Sequence, residues 1–266
     1  MLDTVDLARR IRRDALLMVH KAQASHIASA LSIADILAVL YGSVMKYDAS
    51  NSDLPTRDRF ILSKGHACVG VYGALAEVGI LSKKELDTYG LNFSPLMNHI
   101  SHKIKGVEFS TGALGHGLPF GVGKALSAKI NESEWKTFVL LSDGEMDEGS
   151  NWEAFMFAAH HKLSNLTAII DYNKLQSLGS VDSTVGLEPL ADKLKAFGWY
   201  VQEIDGHNHK EIFEALTIQN LNQPVVVIAH TVKGKGVSFM ENKVEWHYKS
   251  PNQNQLAEAL AQLESN

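Results

Sequence analysis

Five short apolar runs without helical period punctuate the chain: Phe60-Ile61-Leu62, Thr137 to Leu141, Leu166 to Asp171, Tyr200 to Ile204 and Val225 to Ala229. Between them, apolar residues recur at helical spacing, as in Ile33, Ile36, Leu37 and Leu40, and again in Trp152, Phe155, Met156, Ala159 and Leu163. Short β-branched runs separated by helical stretches of about ten residues or more imply parallel strands buried on both faces. Only 6 prolines occur, and no repeat, low-complexity tract or linker interrupts the alternation. The expectation is one α/β domain over residues 1–266, a doubly wound, mostly parallel sheet with helices on both faces.

Composition removes several classes of function. With 25 Lys+Arg against 30 Asp+Glu the formal charge is −5, a poor balance for a nucleic-acid or anionic-membrane binder. The single cysteine, Cys68, rules out an internal disulfide framework and any multi-cysteine metal site. No apolar run approaches the roughly 18 residues of a membrane span. The stretch from Met1 to His26 is charged and helix-patterned, unlike a signal peptide, so the cytoplasm is the expected location. The count of 12 histidines is a hint of chemistry.

In a doubly wound sheet the ligand crevice opens beyond the carboxyl ends of the strands, which directs attention to the residues after each run. Thr137 to Leu141 is followed by Ser142-Asp143-Gly144-Glu145-Met146-Asp147-Glu148-Gly149, and the next run leads into Asp171-Tyr172-Asn173-Lys174-Leu175. Adjacent parallel strands would bring Asp143 and Asn173 together although 30 positions separate them. A carboxylate, an amide oxygen and backbone carbonyls are hard ligands of the kind Mg²⁺ or Ca²⁺ takes. The same residue types are also ordinary turn formers at strand ends.

A glycine-rich loop, Ser110-Thr111-Gly112-Ala113-Leu114-Gly115-His116-Gly117, precedes a helical stretch from about Pro119 to Ile130. Exposed backbone N–H groups and a helix N-terminus suit an anion, and a tight turn would read the same way. Histidines 26, 66, 99, 102 and 247 sit in loop-like contexts, where imidazole can meet phosphate or hydroxyl oxygens and move protons near neutral pH. Singly, each reads better as a structural or surface histidine. His160, His161, His207 and His209 read as structural or surface residues, and no His-Glu-x-x-His zinc spacing occurs.

Together these segments resemble the N-terminal half of the transketolases, in the thiamine-diphosphate enzyme superfamily. The resemblance runs from His26 to Pro251 and rests on five motifs in order. They include Asp58-Arg59-Phe60-Ile61-Leu62-Ser63-Lys64-Gly65-His66-Ala67 and Gly106-Val107-Glu108-Phe109-Ser110-Thr111-Gly112. Asp143-Gly144 through Asn173 resembles the family's cofactor motif, and Thr231-Val232-Lys233-Gly234-Lys235-Gly236-Val237-Ser238 through Trp246-His247 resembles the end of its diphosphate domain.

The resemblance implies roles. Asp143, Asn173 and the Leu175 carbonyl would hold Mg²⁺, with Ca²⁺ or Mn²⁺ as substitutes, and Gly144 would let the diphosphate of thiamine diphosphate approach. His66 would contact the diphosphate, and His247 would lie between diphosphate and substrate. His26 and His99 would sit near the thiazolium and the sugar hydroxyls, and Gly112 and Leu114 would touch the aminopyrimidine. Glu148 would link two active sites at a subunit interface. The implied activity is transfer of a two-carbon ketol unit from a ketose or its phosphate to an aldose. The alternatives are acyloin formation, 2-oxo acid decarboxylation and a catalytically silent scaffold role. The family's pyrimidine-binding and C-terminal domains have no counterpart here, so they are expected on a separate partner chain, in an α₂β₂ heterotetramer. Departures from the family pattern are Ser142 for glycine, His116 for glutamine, Asn98-His99-Ile100 for Gly-His-Pro, and Tyr248 for glycine. They fall on the sugar side more than on the metal side.

Overall fold

The computed structural model describes residues 2–219 and 222–265. Its centre is a five-stranded sheet of β1 (Arg59–Leu62), β2 (Thr137–Ser142), β3 (Leu166–Tyr172), β4 (Tyr200–Asp205) and β5 (Val225–His230). The spatial order is β1-β2-β3-β5-β4 and every pairing is parallel. The helices are α1 (Thr4–Ala22), α2 (Ile27–Leu31), α3 (Ala34–Val39), α4 (Cys68–Glu77), α5 (Lys83–Leu86) and α6 (Gly117–Ile130). They continue with α7 (Gly149–His160), α8 (Val181–Thr184), α9 (Leu190–Ala196), α10 (His209–Thr217) and α11 (Gln253–Ser265).

Side chains alternate across a strand, so a sheet covered on both faces needs apolar residues at every position. Phe60, Leu62, Phe138, Leu140 and Ile169 enter the core beneath α1 to α4, whereas Ile61, Val139, Leu141, Ala168 and Ile170 enter the core beneath α6, α7 and α9. The expectation of burial on both faces fails at β4. It is an edge strand in which only Ile204 is buried, while Gln202 is half-buried and Glu203 exposed. The helical stretch read at Ile33 to Leu40 is the short helix α3 running into a π-helical turn at Leu40–Val44, with the separate short helix α2 just before it. Both helices are buried on every side, so spacing there carries no amphipathic stripe. α6 begins at Gly117, placing Pro119 in the first turn where its missing N–H costs nothing. Leu163 lies beyond α7 but is buried in the same core as Phe155.

His207 and His209 are structural. Both rings bond the buried carboxylate of Asp35, which also takes the Arg12 guanidinium. The backbone N–H of Val232 donates to His207 Nε2 at 2.8 Å, so His207 ties α3 to the loop after β5. No helix among the described residues is long and apolar enough to cross a membrane.

Candidate active site

Register brings the metal candidates together. Ser142 on β2 pairs with Asp171 on β3, so Asp143 and Asn173 leave adjacent strands at the same end. Asp143 is buried, with its carboxylate accepting from the backbone N–H of Gly144 at 2.7 Å and from that of Lys174. Asn173 Oδ1 accepts from Leu175 N–H at 3.1 Å, and its amide nitrogen donates to Asp171 Oδ2 at 3.0 Å. Asp171 Oδ2 also accepts from Ser32 Oγ at 2.7 Å and Lys64 Nζ at 2.5 Å. The carbonyls of Leu175 and Gln176 accept from Lys233 Nζ at 2.9 and 3.0 Å.

These charges are unequal. Burial pushes Asp171 up, but the Lys64 ammonium and hydroxyl donors outweigh it and hold Asp171 below the ordinary carboxylate range. Burial, joined by the charge of Asp171, pushes Asp143 up to about 7. Asp171 has its counter-ion and Asp143 lacks one, so a cation beside Asp143 relieves a buried charge. Among the described residues no three His, Cys, Asp or Glu side chains cluster to hold a metal. The donor set is instead one carboxylate, one amide oxygen and one carbonyl, which fits a hard cation that fills its remaining positions with phosphate and water. A Cβ on Gly144 would come within 2.9 Å of Gln176 Cγ, so glycine keeps this strand end open.

Four of the candidate histidines cluster, with His26 at the centre. The ring of His26 lies 5.2 Å from His66, 5.9 Å from His99 and 5.0 Å from His247. His26 takes φ +72° ahead of α2, and its N–H donates to the His247 carbonyl at 2.8 Å. Burial, reinforced mainly by neighbouring imidazoles and the two lysines, lowers His26 to about 4 and His247 to about 3, and drops His66 well below its usual range. These three rings are therefore neutral near pH 7. Lys233 Nζ lies 3.1 Å from His247 Nδ1, which makes that nitrogen the acceptor and places the ring proton on Nε2. Burial first, then Lys64, lowers Lys233 to about 8.

The glycine-rich loop closes the third side. Thr111 Oγ1 donates to the Leu62 carbonyl at 2.6 Å, and a Cβ on Gly65 would sit 2.3 Å from the Thr111 carbonyl oxygen. Glu145, buried and absent from the sequence-based candidates, accepts from Ser63 Oγ, from Gly115 N–H at 2.9 Å and from Ser142 N–H at 3.2 Å. Ser142 Oγ in return accepts from Glu145 N–H, which explains how serine is accommodated where glycine is usual.

A cavity of about 190 Å³ gathers all the residues expected from sequence: His26, His66, His99, His247, Gly112, Leu114, Asp143, Gly144, Asn173 and Leu175. Ser29, Lys64, Ser142, Gln176, Ser177 and Lys233 complete its lining. A wider groove of about 870 Å³ between α1 and α11 contains none of the expected residues. Lys64 and Lys233 lie inside the family-like motifs, but nothing in a sequence distinguishes a buried lysine from an exposed one. Of the departures, Tyr248 is 59% exposed with its ring 4.7 Å from His247, and Asn98 accepts from the Tyr89 hydroxyl at 2.8 Å. His102 bonds Ser110 Oγ, and His116 is the exposed residue before α6. Glu148 is exposed at the start of α7 with no side-chain cap bond.

The family model described as "Transketolase, thiamine diphosphate binding domain" matches residues 4–264. The chain belongs to the transketolase family. Among curated relatives, an apulose-4-phosphate transketolase subunit of Phocaeicola vulgatus is 40% identical over 265 residues, covering 98% of this chain and 94% of that protein. A 6-deoxy-6-sulfo-D-fructose transketolase subunit of Clostridium sp. (strain MSTE9) is 39% identical, covering 99% of this chain and 97% of that protein. Among solved structures, transketolase from Leishmania mexicana superposes with a TM-score of 0.92 at 28% identity, over 99% of this chain and 42% of that one. The transketolase-family chain thus spans about two fifths of that solved enzyme but nearly the whole of the two subunit relatives.

Proposed function

We propose that this chain is the diphosphate- and Mg²⁺-binding subunit of a split transketolase, transferring a two-carbon ketol unit from a ketose or its phosphate to an aldose. One observation carries the reading: three oxygen donors of the kind a hard cation takes and a cluster of imidazoles, three of them held neutral by burial, line one cavity at the carboxyl ends of β1, β2 and β3. The relatives of matching length are named as subunits, which supports a separate partner chain carrying the pyrimidine-binding half. A cavity of about 190 Å³ falls short of the roughly 300 Å³ of a typical cofactor pocket, which suits a site built from two chains.

Asp143, Asn173 and the Leu175 carbonyl would hold Mg²⁺, while Lys233 and His66 would meet the diphosphate oxygens. Gly112 and Leu114 would offer backbone groups to the aminopyrimidine. Thiamine diphosphate, when bound, supplies the electron sink for breaking a carbon–carbon bond beside a carbonyl. The chain's own share is to anchor charge and to move protons at sugar hydroxyls. His247 presents an Nε2 proton as donor, and neutral His26 stands ready as acceptor, with His99 beside it. The deciding experiment mixes the chain with its partner subunit, thiamine diphosphate and Mg²⁺, and assays ketol transfer beside pyruvate turnover. Ketol transfer alone is expected; pyruvate turnover alone would replace this reading with 2-oxo acid chemistry.

A further inference from the structure

Asp171 is fully buried on β3, has no place among the ligand candidates, and has both carboxylate oxygens met by donors. Lys64 Nζ, Ser32 Oγ and Asn173 Nδ2 converge on Oδ2, and Thr231 Oγ1 donates to Oδ1. A side-chain amide has two ends of similar shape and opposite polarity, and only its partners decide which end points where. For Asn173 two independent partners agree. Asp171 can only accept, so it takes the NH₂ end, and Leu175 N–H can only donate, so it takes the oxygen end.

From this arrangement we infer that Asp171, compensated by Lys64, is a positioning residue that fixes the Asn173 amide with its oxygen toward the cation. The inference rests on the reading of Asn173 as a metal ligand. A flipped amide would aim two N–H donors at a dication, which cancels the ligand and adds repulsion. Asp171 thereby does for an amide what outer-sphere carboxylates do for metal-bound imidazoles, fixing the orientation of a ligand it does not replace. Lys64 is needed because a carboxylate this deeply buried must be paired. Its ammonium also bonds the Ser29 carbonyl at 3.2 Å, which ties the pair to α2 and so to the segment carrying His26.

The test uses the full chain titrated with thiamine diphosphate and Mg²⁺ in a calorimeter. Asp171→Asn offers one oxygen to a shell of four donors. Its apparent affinity is expected to fall about 10- to 100-fold. Ser32→Ala removes a donor to the same oxygen but leaves the Asn173 tie, so it should lower the melting temperature and keep affinity within about twofold of wild type. Lys64→Met/Asp171→Asn, whose pair is neutral, covers the case in which Asp171→Asn alone does not fold, and should lose affinity equally. The Asn173 side-chain NH₂ resonances, assigned by their loss in Asn173→Ala, should move toward exposed-amide positions in the Asp171 variants. Wild-type affinity or unmoved resonances in those variants would overturn the inference. Undiminished affinity in Asn173→Ala would instead overturn the metal-site reading beneath it.

Discussion

At Asp143, function and stability pull in opposite directions. Its carboxyl has pKa 3.8 when exposed and about 7 in the folded chain, chiefly through burial. Below pH 3.8 both states hold the proton; between 3.8 and 7 only the folded state does; above 7 neither does. The unfolded state binds fewer protons in that window, so this group makes the metal-free chain less stable as pH rises through it, by a few kcal/mol in all. The lowered histidines act with the opposite sign, adding stability as pH rises from about 4 to 6.5 for His26. Comparing Asp143→Asn with wild type isolates the carboxylate. The difference should grow in favour of the variant between pH 4 and 7 and then stay constant, by urea unfolding without metal, while Mg²⁺-dependent cofactor binding is lost. A flat difference would mean that Asp143 is not a desolvated charge awaiting a cation. The histidines divide by neighbour. His66→Ala should weaken cofactor binding, whereas His99→Ala and His26→Asn should leave it within about twofold and lower turnover. Asparagine is chosen at position 26 because φ +72° penalises alanine by about 1–2 kcal/mol and asparagine less.

Elements were legible in the sequence where one physical signal governed them. Four of the strands announced themselves because a strand buried on both faces must be apolar at each position, whereas β4 carries Gln202 and Glu203 within its run; each run ended within a residue of its strand. Of the ten cavity residues, Asp143 and Asn173 followed from strand ends, and the others were singled out by the resemblance to the transketolases. Burial of polar groups was illegible, since Lys64, Glu145 and Asp171 are hidden by tertiary packing that no local pattern encodes. Edge position was legible at one side and not at the other: Gln202 and Glu203 interrupt the run of β4, whereas β1, apolar from Phe60 to Leu62, is also an edge strand. Glu145 shows what such hidden groups hold together. Its carboxylate joins the end of β1 through Ser63, the end of β2 through Ser142 and the glycine-rich loop through Gly115. Its carbonyl takes the Asn151 side chain of α7 at 2.7 Å. Glu145→Ala would leave two buried backbone N–H groups without acceptors, a cost of roughly 2–5 kcal/mol. Thermal unfolding should show that loss, and amide exchange should quicken first in residues 112–117. Exchange that quickens evenly over the chain would deny Glu145 a local role.

As a whole molecule the chain leaves an apolar surface beside its site. Met156 is 59% exposed and Phe157 43% on α7, Leu178 is 86% exposed and Val185 55%, and Glu148 stands uncapped at the helix start. Trp152 is half-buried on the same helix and borders a cavity of about 370 Å³ with Met146 and Val185. Scattered apolar side chains need no explanation, but Met156 and Phe157 side by side on α7, with Val185 beside Trp152, form the face where the two-chain reading expects the partner to dock. Obligate interfaces are large and apolar, so one charge at their centre is disruptive while the monomer's core is untouched. Met156→Asp tests this, because its side chain faces outward and its substitution leaves Ala154, Phe155 and Ala158 packed. The expected result is a variant with wild-type melting behaviour that still binds thiamine diphosphate and Mg²⁺. By light scattering it stays smaller than wild type when mixed with the partner chain, and ketol transfer falls at least tenfold. Purified wild-type chain alone, at dilutions where no partner persists, should show no ketol transfer. Robust turnover by that chain alone would mean that the cavity completes itself, and the two-chain reading would fail.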